Sequence, residues 1–135
     1  MNLKYFNLAK QNARLSTFSN KRRLQIGAII VFKNKVIASG FNTNKTNPLQ
    51  RTFAFLTNNH EAIYSHAEIN VIYKVIREKY NKKDFEEMDI YIYREVDSGL
   101  GLSKPCNICE ACIKTFRFRN VYYTSENGYV CENFN

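Results

Sequence analysis

Four residues in this chain could do chemistry together. His66 and Glu68 stand two positions apart in the stretch SHAEINVI, and Cys106 and Cys109 stand three apart in KPCNIC. One imidazole and two thiolates are three of the four ligands that zinc prefers, and a fourth position left for water separates a catalytic zinc site from a structural one. Residues i and i+2 of a helix do not share a face. His66 and Glu68 can therefore cooperate only at a helix start, where the backbone is just beginning to coil. There the carboxylate can reach over the metal toward its water. Zinc lowers the pKa of bound water from about 16 to about 7. A carboxylate within hydrogen-bonding reach can take that proton and pass it to a leaving group. The expected cofactor is one catalytic Zn2+.

The elements around these residues must bring two helix N-termini together. Residues 3–16 carry apolar groups at helical spacing: Leu3, Phe6, Ala9 and Ala13, with Tyr5, Leu8 and Leu15 beside them. LQIGAIIVF reads as a strand, KNK as a hairpin turn and VIASGFN as the returning strand. Residues 43–64 read as a long polar connection around Pro48, of the kind that is often functional. A second helix is expected over 66–80, with Ile69, Ile72, Tyr73 and Ile76 on one side. MDIYIYRE alternates as a strand does, Ile90 and Ile92 on one face, Tyr91 and Tyr93 on the other. Residues 95–104 read as a loop. A third helix starts near Pro105, where proline is favoured, and runs to about Arg117, followed by the strand NVYYTS. Two strands joined through a helix should be parallel. The expected fold is α/β, a three-layer α/β/α arrangement around a mixed central sheet. His66 would open the second helix and Cys106 and Cys109 the third, where positive helix ends favour thiolates.

Composition is consistent with this. The 135 residues, 44% hydrophobic and 14% aromatic, suit one domain spanning 1–135 with a real core. No apolar run is long enough for a membrane span, and the first ten residues lack the apolar core of a signal peptide, so a cytoplasmic protein without a membrane partner is expected. Cys106, Cys109 and Cys112 are too closely spaced for good disulfides. In a reducing compartment, clustered cysteines read as metal ligands. The net charge of +8 is unevenly spread: residues 1–60 hold ten Lys or Arg and no Asp or Glu, whereas 61–135 hold ten basic and twelve acidic residues. Such a basic half suggests an anionic partner, although a solvated, lysine-rich surface would look the same.

H-A-E followed by P-C-x-x-C, carried by His66, Ala67, Glu68, Pro105, Cys106 and Cys109, resembles the zinc-dependent cytidine and deoxycytidylate deaminase superfamily. The resemblance covers roughly residues 24–125 and extends to the layout of hairpin, motif, strand and second motif. It implies a hydrolase in which zinc-activated water attacks the ring carbon bearing the exocyclic amine, with Glu68 protonating first the ring nitrogen and then the departing ammonia. It also implies that Asn42 contacts sugar or base, and that the Ala67 amide and the Lys104 carbonyl read the base edge. FNTNKTNPLQ and SKPCNICEAC resemble small deaminases of bacteriophages and other viruses. Superfamily members often assemble, so a homo-oligomer is compatible with the resemblance.

The plainer readings are a capping or core histidine at 66, a packed Cys112 rather than a third thiolate, a tail cysteine at 131, and a zinc fold that catalyses nothing. Glu68 argues against the last. For the substrate, Lys21, Arg22 and Arg23 precede the first strand, Lys45 and Arg51 lie in the long connection, and Phe41, Phe53, Phe55, Tyr64, Tyr122 and Tyr123 are interspersed. A basic groove with stacking aromatics holds single strands, and an unpaired base avoids the cost of flipping. Arg23 and Tyr123 are the expected contacts from this set. Cytosine deamination on single-stranded DNA or RNA is favoured over a free nucleotide. The alternatives are a dCMP or cytidine deaminase of nucleotide metabolism, to which HAEIN with Asn70 gives a hint, and an adenosine deaminase of tRNA or DNA type.

Overall fold

A computed structural model describes residues 2–135. Helix α1, Leu3–Arg14, is capped by the Asn2 side chain, which accepts from the Lys4 N–H at 2.9 Å. A 3-10 turn, Arg22–Leu24, leads into strand β1, Ile26–Phe32. Lys33 and Asn34 take left-handed φ values of 50° and 63°, the geometry that closes a tight hairpin, and β2, Lys35–Phe41, returns antiparallel. Then come α2, Pro48–Leu56; α3, Ala67–Ile76; a short α4, Lys82–Phe85; β3, Met88–Val96; β4, Gly99–Leu100; α5, Asn107–Phe116; β5, Asn120–Ser125; and β6, Gly128–Glu132.

The sheet order is β2-β1-β3-β5-β6, with β4 paired to β3. Only β3 and β5 run parallel, as expected for strands joined through a helix, so the sheet is mixed. Its two faces bury different residues. Ile90 and Ile92 of β3 face the larger core with Ile69, Ile72, Val75, Ile108 and Ile113 from α3 and α5. Tyr91 and Tyr93 face the other way, against Phe6, Ala9 and Ala13 of α1. The α/β/α layering and the face assignment of β3 are those expected. Gly27 makes the α1 side possible: a Cβ there would collide with the Ala9 carbonyl and the Ala13 backbone.

Four expectations need correction. The connection 43–64 contains α2, with Asn47 as a side-chain cap accepting from the Gln50 N–H and Pro48 in the first turn. The helix expected over 66–80 ends at Ile76, because Arg77, Glu78 and Lys79 offer nothing to bury and Asn81 starts α4 through a capping box with Asp84. Ile76 consequently lies at the edge, 36% exposed, and Val71 and Val75 complete the buried face. The loop expected over 95–104 is partly a β3–β4 hairpin. β6 was not anticipated, although Asn127-Gly128 between apolar runs is a hairpin signal.

Candidate active site

The N-termini of α3 and α5 converge. His66 is the N-cap of α3 and Cys106 the N-cap of α5, and neither side chain caps its own helix. Both are free to point into the space between the helices. His66 Nδ1 lies 3.5 Å from Cys106 Sγ and 3.3 Å from Cys109 Sγ, and the three ligand atoms are all within 4.8 Å of one another. Tetrahedral zinc with bonds of about 2.0 Å to nitrogen and about 2.3 Å to sulfur sets an N···S separation near about 3.5 Å. The three side chains therefore fit the metal. They are the only group of three or more such residues with this geometry among the described residues. Cys112 stands outside the group, fully buried in the large core, and burial pushes its thiol pKa up.

The pKa shifts within the cluster run in different directions. A hydrogen bond with Cys109, helped by one with His66 and opposed by burial, draws the Cys106 thiol down to about 4. Burial pushes Cys109 well up. Burial works to lower His66, but its bond to Cys106 and the nearby charges of Glu68 and Cys106 outweigh it and raise the value. Glu68, the second residue of α3, is 6% exposed, and burial raises its carboxyl against the lowering influence of His66.

These groups share a cavity of about 420 Å³. Glu68, His66 and Cys106 line it with Asn42, Arg23, Arg94 and Lys104, and with the aromatic pair Phe18 and Tyr64, whose ring centroids are 6.3 Å apart. Of the residues expected to touch a substrate, Asn42, Lys104 and Arg23 line this cavity and two others do not. Ala67 is fully buried as the first helical residue, so only its backbone is available; N–H groups in a first turn have no intrahelical acceptor. Tyr123 is 6% exposed in the large core, its hydroxyl donating to Glu132 at 3.4 Å. The alternation of β5 turns it inward, away from the residues that line the cavity. Asn42 is largely committed internally: its Oδ1 accepts from Ser16 Oγ at 2.8 Å and the Ile26 N–H at 2.9 Å, and its Nδ2 donates to the Leu24 carbonyl at 2.7 Å. One Nδ2 hydrogen remains. Asn70 donates to the Phe41 carbonyl at 2.8 Å and ties α3 to the end of β2.

Two supports escaped the reading of the sequence. Gln50, fully buried on α2, accepts from the His66 N–H at 3.1 Å and donates to the Ala62 carbonyl at 2.8 Å. Ser103 and Thr124 form a buried knot. Ser103 Oγ donates to Thr124 Oγ1 at 2.8 Å and accepts from the Thr124 N–H at 2.8 Å, and Thr124 Oγ1 donates to the Gly101 carbonyl at 2.7 Å. This knot pins the segment before Pro105 to the sheet. An Asn-Pro helix start marks the first support; no pattern in the chain marks the second.

The model of the family described as "Cytidine and deoxycytidylate deaminase zinc-binding region" matches residues 1–125. Subunit tad2 of the tRNA-specific adenosine deaminase of Schizosaccharomyces pombe is 28% identical over 123 residues, covering 91% of this chain and 25% of that protein, so the chain spans a quarter of that relative's length. A cytidine deaminase from Burkholderia pseudomallei superposes with a TM-score of 0.69 at 16% identity, over 99% of this chain and 93% of that one. The dCMP deaminase of cyanophage S-TIM5 gives a TM-score of 0.62 at 20% identity, over 91% and 81%. These two likenesses show the fold.

Proposed function

The chain belongs to the cytidine and deoxycytidylate deaminase zinc-binding family, and from that premise we propose that it is a zinc-dependent hydrolytic deaminase converting cytosine to uracil in single-stranded nucleic acid. The observation that carries the reading is the placement of a buried carboxyl, Glu68, in one cavity with His66 and Cys106 of a three-ligand cluster that fits zinc.

His66, Cys106 and Cys109 would hold the metal. When bound, zinc supplies a water acidic enough, with a pKa of about 7, to act as a nucleophile near neutral pH. Glu68 is the proton carrier. Its carboxylate would carry one proton of the attacking water to the ring nitrogen beside the reacting carbon and the second to the departing amine, so that one water is consumed for each ammonia released. The Ala67 amide and the Lys104 carbonyl hold the edge of the base. The free Nδ2 hydrogen of Asn42 is available to the sugar. Phe18 and Tyr64 give the base and its neighbour apolar faces on which to stack.

The substrate form rests on the cavity rim, where Arg23, Arg94 and Lys104 stand, and on the wholly basic balance of residues 1–60. Adenosine deamination in tRNA is the second reading, favoured by the identity with the fission-yeast tRNA deaminase subunit. A mass-spectrometric assay separates them. Zinc-loaded protein is given a single-stranded DNA oligonucleotide containing every base, the matching RNA, and dCMP. Uracil in an oligonucleotide with dCMP untouched is the expected result. Hypoxanthine would establish the adenosine reading, and conversion of dCMP alone would overturn the polymer substrate.

A further inference from the structure

Arg94 breaks the apolar alternation of β3 near its C-terminal end, the end of a strand beside which ligands bind in α/β sheets. Arg94 lines the cavity, and its guanidinium is held from two sides. Nε donates to the Arg23 carbonyl at 2.8 Å, and Nη1 donates to the Leu102 carbonyl at 3.0 Å. Both acceptors are neutral. Among the described residues no carboxylate lies within ion-pair distance of Arg94 or of Arg23. The neighbouring Glu95 is already bound to Arg14 at 3.1 Å and Arg22 at 3.5 Å. Lys104, also on the rim, has Glu132 at 3.7 Å.

The Arg94 guanidinium thus carries its charge with no counter-ion among the described residues and is available to an anion. The two carbonyls fix the plane of the group, and among the described residues none accepts from Nη2. Only arginine offers this division of labour, because its five donors form a rigid fork and lysine's three do not. With Nε and an Nη1 hydrogen committed, Nη2 is left to donate to an anionic oxygen, and phosphate presents several.

We propose that Arg94 recognises a phosphate of the substrate through its open Nη2 edge, with Arg23 as the second cation, and so selects phosphate-bearing ligands over free nucleosides. This rests on the deaminase reading only for the identity of the ligand's base. The phosphate belongs either to a monophosphate or to the diester backbone of a strand.

The test compares zinc-loaded wild-type protein, Arg94→Gln and Arg94→Lys. Calorimetry measures binding of dUMP against deoxyuridine and of IMP against inosine, and thermal melting checks folding. Steady-state kinetics use deoxycytidine, dCMP and a short oligonucleotide with one cytosine. In Arg94→Gln, binding of the phosphorylated member of a pair should fall at least tenfold more than that of its nucleoside. KM for phosphate-bearing substrates should rise, with kcat within about threefold. Arg94→Lys should bind nucleotide more tightly than Arg94→Gln. A rise in KM confined to dCMP assigns the phosphate to a monoester, and one confined to the oligonucleotide assigns it to a diester. Equal weakening of nucleoside and nucleotide, or equal behaviour of Lys and Gln, would overturn the proposal and leave Arg94 as a tie between two walls. If wild-type protein deaminates nothing yet binds nucleotide over nucleoside through Arg94, the phosphate site stands and the deaminase reading falls.

Discussion

Gln50 Oε1 accepts the His66 backbone N–H at 3.1 Å, so a residue on α2 fixes the first metal ligand from outside both metal-bearing helices. Truncating Gln50 to Ala leaves two part-buried groups, the His66 N–H and the Ala62 carbonyl, without these partners. Each such group costs about 1–3 kcal/mol. Gln50→Ala should lower the unfolding free energy by about 3 kcal/mol and weaken zinc about tenfold, measured by denaturant titration and by competition with a chromophoric chelator. Unchanged zinc affinity would mean that the helix start holds His66 without help.

Cys106→Ser should lose zinc and, with it, stability, because binding to a site absent from the unfolded chain adds to folding free energy. Metal analysis and melting with and without a chelator check this. Wild type should melt at a lower temperature in chelator, and the variant should be insensitive to it. Full zinc occupancy in the variant would remove Cys106 from the ligand set.

Thr124→Val keeps the shape of a buried side chain but deletes the hydroxyl shared by Ser103, Arg94 and Gly101. A loss of about 2–3 kcal/mol is expected. Thr124→Ser should recover most of it, since it restores the oxygen. A loss in Thr124→Ser with none in Thr124→Val would show that the methyl group, not the hydroxyl, carries the effect.

Glu95 sets a pH dependence away from the metal. Partial burial pushes its carboxyl up, but hydrogen bonds from Arg14 and Tyr93 and the charges of Arg14 and Arg22 outweigh this and hold it below its usual value of 4.5. A depressed folded-state pKa gives stability that is present above the unfolded pKa and lost as pH falls through the folded one. The stability gap between wild type and Glu95→Gln should therefore be constant from pH 6 to 7 and shrink below about pH 4.5. A gap that does not change with pH would exclude the ionised carboxylate as its source.

Much of the site was legible because its residue types are rare together and each opens an element. His66, Glu68, Cys106 and Cys109 are few enough, and placed closely enough to helix starts, that little but zinc chemistry explains them. The layers were legible because β1 and β3 carry strong apolar patterns. α2 was not, because Phe55 and Leu56 stand exposed at 66% and 64% and blur the helical period; its Asn47-Pro48 start was the remaining signal. Tyr123 could not be separated from Tyr122 by sequence: the strand's alternation puts one against Tyr91, with ring centroids 4.3 Å apart, and the other in the opposite core. Arg94 and the Ser103–Thr124 knot depend on partners far apart in the chain, and no local pattern announces such pairs.

The most direct test of the account compares Glu68→Ala with wild type on the best substrate, with zinc measured in the same samples. Both proteins should hold one zinc per chain, and the variant's deamination rate should fall by at least about a thousandfold, within the range of a lost general acid–base group. A variant that holds zinc and still deaminates at a comparable rate would contradict the assignment of Glu68, and with it the reading of this cavity as a deaminase active site.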